Sequence, residues 1–374
     1  MKILIFNWRD ISHPLSGGAE ASLVEHAKYW EKKGADIIWF STNFPGAISE
    51  ENIDGIKFIR KGSYYTSFIW GFIYYITGKF GKIDVVIDCF HFIPFFTPLY
   101  FSRHRIIGLI NEVAGKVWFD NLPFIFALIG YYTEPIFFKF YKKVIFISSS
   151  ESTKKELINI GIDPKNIKIV FHGIRIAKVY NAITKEINPT LVFLGRVSKD
   201  KGISEVINAY IKSKIVVKNL KLWIIGKEEK PGMLQALLKD IEEKIKKDIT
   251  YFGFVSEEKK VELLRKAWLL IHPSKKEGWG LNVIEAASQG TPTVGNDVEG
   301  LRDSIKNGIT GILVDPKEPS LLADAILSII MDKSKKQYLY LSNNAKEWSK
   351  NFNWEVSTKE SWNIVRNIYN EKKS

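Results

Sequence analysis

Cysteine occurs once in these 374 residues, at Cys89. One thiol excludes a disulfide framework and fits a reducing compartment. Long apolar runs are missing as well. Residues 66–78 form an uncharged stretch of 13 residues, short of the ~20 that a membrane-spanning helix needs. Residues 119–141 are interrupted by Asp120, Pro123, Glu134 and Pro135, so no transmembrane helix is expected there. The apolar start is too brief, and too soon followed by Arg9 and Asp10, to be a signal peptide. It reads as a first buried strand, and a cytoplasmic location is expected. No short-period repeat or low-complexity tract is evident.

Acidic residues are in deficit: 41 Asp and Glu face 54 Lys and Arg, a net charge of +13. Residues 1–172 hold 20 basic and 16 acidic residues and the remainder 34 and 25, so the excess leans toward the second half. Such a field attracts nucleotides, nucleic acid or anionic lipid, although a solvated lysine-rich surface accounts for most of these lysines. No nucleic-acid-binding motif organises the charge, so no nucleic-acid partner is expected. Aromatic residues lean the other way. Of 50 Phe, Trp and Tyr, 24 fall between Tyr64 and Tyr141, which suits a lipid-gripping or membrane-facing surface.

Hydrophobic content of 45% and charged content of 25% are those of a soluble globular protein, and the length allows two domains with real cores. Short apolar runs alternate with longer amphipathic ones, the rhythm of βα units on a parallel sheet. Strands are predicted over 2–7, 36–41, 57–60, 85–88, 106–110 and 144–148, with helices over 19–33 and 152–160. The rhythm restarts at Thr190. Strands follow over 191–194, 220–225, 249–252, 269–272, 293–295 and 311–314, with helices over 204–212, 233–245, 257–267, 283–289 and 320–331. The fold class is therefore α/β, with two Rossmann-like domains facing across a cleft and a ligand near the strand carboxyl ends. The boundary falls near His172-Gly173. It gives domains 1–172 and 173–355, with a helix at about 356–374 expected to pack back on the first.

Within this plan Glu277-Gly278-Trp279-Gly280-Leu281-Asn282-Val283-Ile284-Glu285 carries the most information. Two carboxylates eight positions apart bracket a Gly-aromatic-Gly turn that opens an apolar helix. A helix start offers free N–H groups and a positive dipole end to a phosphate, and acids placed there suit the hydroxyls of an attached sugar. In Gly195-Arg196-Val197-Ser198-Lys199-Asp200-Lys201-Gly202, Arg196 brings a guanidinium fork and Lys201 a point charge. Two surface cations at a turn would look the same, but a place after a strand favours ligand binding. Gly17-Gly18-Ala19-Glu20 opens the first helix, where bare backbone can approach a ligand. Phe254-Val255 ends a strand and either walls off a flat base or is an ordinary strand end.

Together with His272-Pro273-Ser274 and Gly290-Thr291-Pro292, these segments resemble, in order and over nearly the whole chain, the GT-B retaining glycosyltransferases of family 4. The resemblance implies transfer of a sugar from a nucleotide-diphosphate donor, UDP- or GDP-linked, with retained anomeric configuration and no catalytic metal or cofactor. No Asp-x-Asp occurs in the chain, in keeping with the last point. By resemblance, Arg196 and Lys201 hold the diphosphate, Glu277 the donor sugar and Glu285 the ribose. Gly280, Leu281 and Asn282 offer amides, Phe254 and Val255 flank the base, and Gly17 and Gly18 close on donor phosphates or acceptor. Relatives usually carry a histidine after the strand at 106–110, where this chain has Asn111-Glu112. Asn111, Glu112 or His91 from the preceding loop is the candidate replacement, and His91 also reads as a histidine packed among aromatics. The domain joint, His172-Gly173-Ile174-Arg175, departs from the usual Asn-Gly-x-Asp. A glycan or lipid-linked acceptor at the inner face of a membrane is expected, motivated by the aromatic first domain. A nucleotide-sugar epimerase and a non-catalytic donor-binding subunit of the same architecture are the alternatives.

Overall fold

The computed structural model describes residues 1–174 and 184–371. Arg175 of the expected joint and residues 372–374 of the expected terminal helix lie outside them. The chain divides into two compact units, Met1–Gly173 with Trp354–Ser374, and Ile174–Asn353.

The first unit runs β1 (Lys2–Phe6), α1 (Gly18–Lys32), β2 (Asp36–Ser41), β3 (Glu50–Ile53), β4 (Ile56–Arg60), α2 (Ser67–Ile76), β5 (Val85–Phe90), β6 (Ile106–Ile110), α3 (Trp118–Asn121), α4 (Phe124–Phe140), β7 (Ile145–Ser148), α5 (Glu151–Ile160) and β8 (Ile167–Ile169). Among the described residues its sheet has eight strands, ordered β3-β4-β2-β1-β5-β6-β7-β8. All pair in parallel except the β3–β4 hairpin. Ile3 pairs with Ile37 on one side and Val85 on the other. Central strands buried on both faces explain the unbroken Ile, Val and Phe runs. On one face α1 contributes Leu23, Ala27 and Trp30 against Ile3, Ile5 and Trp39. On the other, Phe6, Phe40, Phe90, Phe138 and Phe146 form an aromatic core, with Phe6 and Phe40 edge to face at 5.7 Å.

The second unit runs β9 (Thr190–Leu194), α6 (Ile203–Val216), β10 (Lys221–Ile225), α7 (Met233–Leu238), α8 (Glu243–Lys246), β11 (Ile249–Gly253), α9 (Glu257–Lys266), β12 (Leu269–His272), α10 (Leu281–Ser288), β13 (Thr293–Asn296), α11 (Leu301–Ser304), β14 (Gly311–Val314), α12 (Ser320–Ile330) and α13 (Lys336–Ser349). Its parallel sheet is ordered β11-β10-β9-β12-β13-β14. The single helix expected over 233–245 is two short ones, α7 and α8, and Ile241 between them packs with Ile245 on the core.

Helix α14 (Trp354–Asn370) returns to the first unit and packs along α1. Ser361 Oγ accepts from Trp30 Nε1 at 3.1 Å and lies 2.9 Å from His26 Nδ1. Beside it His172 Nδ1 meets Ser22 Oγ at 2.5 Å. Burial holds the His26 imidazole down to about 3, His172 adding to the effect, and burial alone holds His172 down to about 4.

Both imidazoles are neutral in the fold and take up protons near pH 6.5 once unfolded. Stability is therefore full above pH 6.5 and falls as pH drops from 6.5 toward 4, by roughly 1.4 kcal/mol per pH unit for each histidine. Urea midpoints at pH 7 and pH 5 measure this, and His26→Gln should shrink the difference. The same difference in the variant would remove the histidine from the account.

Candidate active site

Counted from β9, the second sheet has the order 3-2-1-4-5-6. The carboxyl ends of β9 and β12 flank the point where the order reverses, and a ligand crevice opens there. The loops at this point are 195–202 and 273–280, which contain the segments singled out from the sequence. They are held by backbone fit. Gly202 has φ 75°, and a Cβ on it would sit 2.3 Å from Pro273 O. Gly300, φ 77°, leaves room for Glu277 O, which a Cβ would meet at 2.2 Å. Asn296, at the end of β13, donates from Nδ2 to Pro273 O at 2.9 Å and Ser274 O at 3.2 Å.

Lys201 and Glu277 come together here. Lys201 Nζ donates to Glu277 Oε1 at 2.6 Å. The same oxygen accepts from Ser274 Oγ at 3.1 Å and meets His272 Nε2 at 3.0 Å. Burial by itself would raise the Glu277 carboxyl. The Lys201 charge and the His272 contact outweigh it and hold the group well below the usual carboxylate range. The contact places the His272 ring proton on Nε2, and its buried Nδ1 has no hydrogen-bond partner.

Gly280 caps α10 with φ 83°, and the Gly280, Leu281 and Asn282 amides lie at a helix start where no intrahelical carbonyl reaches them. The Asn282 side chain is already engaged, donating from Nδ2 to Leu194 O at 2.7 Å and so tying α10 to β9. Arg196 is exposed, with Nη2 3.2 Å from Asp200 Oδ2. Glu285, about one turn further along α10 from Leu281, accepts from Lys260 Nζ of α9 at 2.8 Å. Burial raises the Glu285 carboxyl and Lys260 opposes it. Phe254 stands 76% exposed beyond β11, its ring under Lys227 Nζ at 5.0 Å, with Val255 half-buried beside it.

The first sheet reverses order at β1 and β5, which brings the 7–17 and 91–96 loops together. Gly17 is extended (φ −147°), and its N–H donates to Glu20 Oε2 at 2.7 Å, with Gly18 opening α1. Buried Glu20 also accepts from Arg9 Nε at 3.1 Å and lies 3.5 Å from His91 Nε2. Burial lowers the His91 imidazole to about 4, Glu20 opposing and Arg9 assisting. The loop after His91 holds Phe92 and Phe96 at φ 67° and 52°, costly for bulky residues. Asp88 pins it by accepting the Phe95 N–H at 3.0 Å and the Thr97 N–H at 3.2 Å. Asn111 follows β6, its carbonyl accepting from Thr153 Oγ1 at 2.8 Å. With Ser22, Ser149 and His172 it lines a cavity of about 10 Å³, room for one water. Glu112 beside it is exposed.

Sequence reasoning quoted His272 and Ser274 only within a resembling segment, without roles, and left out Asn296 and Lys260. Asn296 could have been flagged by its place at the carboxyl end of β13. Nothing separates Lys260 from Lys259 until α9 is laid beside α10.

Residues 16–178 match the family model Glycosyltransferase Family 4, and residues 181–348 match Glycosyl transferases group 1. The two matches between them run over most of the chain, which belongs to the family-4 glycosyltransferases of GT-B fold. Among curated relatives, an uncharacterized glycosyltransferase of Methanocaldococcus jannaschii, MJ1607, is 26% identical over 240 residues, 60% of each chain. The chain thus spans about three-fifths of that relative's length. Among solved structures, sucrose-phosphate synthase from Thermosynechococcus elongatus superposes with a TM-score of 0.79 at 17% identity, covering 99% of both chains. Anabaena HepE in complex with UDP and glucose gives 0.72 at 16% identity, over 98% of this chain and 100% of that one. At such identities the likeness is one of fold.

Gly202→Ala forces a left-handed backbone on alanine and drives its Cβ into Pro273 O. A loss of at least about 1–3 kcal/mol in stability is expected, together with loss of turnover. A melting temperature equal to wild type would show that the two loops are not pressed together as described.

Proposed function

We propose that the protein is a retaining glycosyltransferase that moves a sugar from a UDP- or GDP-linked donor to a lipid-linked or other membrane-proximal acceptor. The observation that carries this reading is the Lys201–Glu277 pair, whose loops also carry the exposed Arg196 and lead into the glycine-capped start of α10. A diphosphate is a competing anion for the Lys201 ammonium, and sugar hydroxyls are neutral donors for the Glu277 carboxylate. A donor carrying both groups therefore satisfies both partners at once. UDP is the nucleotide named in the HepE complex, which favours it among the candidate bases.

In this reading the acceptor oxygen attacks the anomeric carbon on the face from which the nucleoside diphosphate departs. The carbon–oxygen bond to phosphate breaks, its electron pair leaves with the diphosphate, and a phosphate oxygen takes the acceptor proton. Arg196, Lys201 and the α10 amides stabilise the charge developing on the leaving group. Glu277 fixes the sugar, Glu285 the ribose and Phe254 with Val255 the base. Gly17 and Gly18 approach donor phosphates or acceptor, and His91, Asn111 or Glu112 takes the place of the usual histidine. No metal or cofactor takes part, and the protein works from the cytoplasmic face of a membrane.

A thermal-shift panel of UDP-, GDP- and ADP-sugars should single out one nucleotide, and NMR of the product should show the donor's anomeric configuration. Arg196→Ala and Lys201→Ala should each lower donor kcat/KM by ~10²-fold or more. Arg196→Ala should keep the wild-type melting temperature and Lys201→Ala should lower it, because Glu277 loses its charged partner. The parent enzyme should show no response to EDTA. Unchanged kinetics in both variants would remove the phosphate assignment. Sugar turnover without an acceptor product would point to an epimerase instead.

A further inference from the structure

The outer surface of α2 and α4 in the first unit is not used by anything described so far. Helix α4 exposes Phe124, Ile125, Phe126, Ile129 and Tyr132, each by more than half of its surface. Helix α2 adds Ile69, Phe72 and Ile76. Both helices cover the same sheet face, since residues of both pack on the Phe6–Phe40–Phe90 core. The segment between them bridges the two: Phe72 meets Tyr100 at 5.3 Å and Phe96 meets Phe137 at 5.2 Å, with Leu99 exposed in between. The apolar surface is therefore continuous, far beyond the scattered exposure that a soluble surface tolerates. The buried acids nearby, Asp88 and Glu134, point inward and spend their charge on loop N–H groups and on the Tyr141 and Trp118 side chains.

Topology gathers basic residues along one rim of this surface. In a parallel sheet, the segments that lead into neighbouring strands lie at one edge. Lys79 and Lys82 lead into β5, Arg103 and Arg105 into β6, and Lys142 and Lys143 into β7. Against these stands Asp84, whose carboxylate accepts the Lys2 N–H at 3.0 Å. The opposite end of α4, where Phe124, Ile125 and Phe126 stand exposed, follows the loop leaving β6. It lies at the carboxyl edge that also carries His91 and Asn111. An apolar aromatic face with a cationic rim has the chemistry of the headgroup boundary of an anionic bilayer. No helix among the described residues is long and apolar enough to cross a membrane, so contact would be in plane.

We propose that the α2–Leu99–α4 face is the surface by which this protein docks on an anionic phospholipid bilayer, the carboxyl edge of the first sheet then lying close to the lipid headgroups. This deepens the membrane-proximal acceptor of the proposed function and rests on that reading for its purpose, but not for its test. The experiment is flotation of the full chain with vesicles of phosphatidylcholine alone or mixed with phosphatidylglycerol, at low and high salt. Wild type should float with the mixed vesicles and release with salt. Ile125→Glu with Ile129→Glu should abolish flotation, and Lys142→Glu with Lys143→Glu should weaken it by at least ~10-fold, both pairs melting as wild type does. Absence of wild-type flotation, or flotation unchanged in both variants, overturns the proposal. So does a wild-type dimer in ultracentrifugation, dispersed by the isoleucine variants and indifferent to vesicles, since a second copy would then cover the face. Donor hydrolysis in vesicle-free solution should be equal in all of these proteins. Its absence from every one of them, with flotation intact, would count against the glycosyltransferase reading and leave the docking surface standing.

Discussion

A carboxylate taken out of water must be surrounded by donors or give up its charge, and the loops of this protein are arranged around that requirement. In the second unit the requirement converges on Glu277, where one oxygen gathers Lys201, Ser274 and His272. Those three donors come from the loop after β9 and from the end of β12 and its loop, so satisfying one acid fixes both walls of the crevice. The first unit repeats the device. Glu20 ties Arg9 to the start of α1, Asp88 holds the loop beyond His91, and Glu134 of α4 accepts the Ala114 and Gly115 N–H groups at 2.8 Å. A further buried pair, Asp10 with Arg60, joins the loop after β1 to the end of β4 at 2.6 Å. In each case a charge that would be costly alone becomes the anchor of a loop that has no regular hydrogen bonding of its own.

This arrangement bears on what the sequence could disclose. Central strands such as β1, β5 and β10 were legible because burial on both faces leaves an unbroken apolar run bounded by turns. The glycine-bearing loop 195–202 was legible because its place after a strand calls for residues such as Gly202, whose backbone is pressed so close to Pro273 O that a Cβ would sit 2.3 Å away. Helices α2 and α4 were not assigned as helices, for the opposite reason. Both are apolar nearly all round, with Ile69, Phe72, Ile125 and Ile129 facing outward, so the alternation that marks an amphipathic helix is missing. The partners of buried acids were the other blind spot. Glu285 was visible, but its lysine sits on a neighbouring helix, and Glu134 read as an interruption in an apolar stretch when it is the residue that fastens α4 to the loop after β6. Pairings of this kind are made by the fold and leave no periodicity.

The distribution of charge between the units also sharpens the question raised by the missing histidine. His91 lies close to Glu20 and Arg9, and burial keeps its imidazole near 4, so it is neutral across the physiological range. Asn111 is neutral by nature. Arg9 and Glu20 cancel each other through their own contact. Neither His91 nor Asn111 thus carries a fixed positive charge. What they offer are neutral hydrogen-bonding groups, well suited to orienting a hydroxyl. The cations lie in the second unit, in Arg196, Lys201 and the start of α10. In the proposed reaction the leaving group both carries the negative charge and takes the acceptor proton. That proposal needs its electrostatics there and only orientation elsewhere, and under it a neutral replacement for the histidine costs the chemistry little.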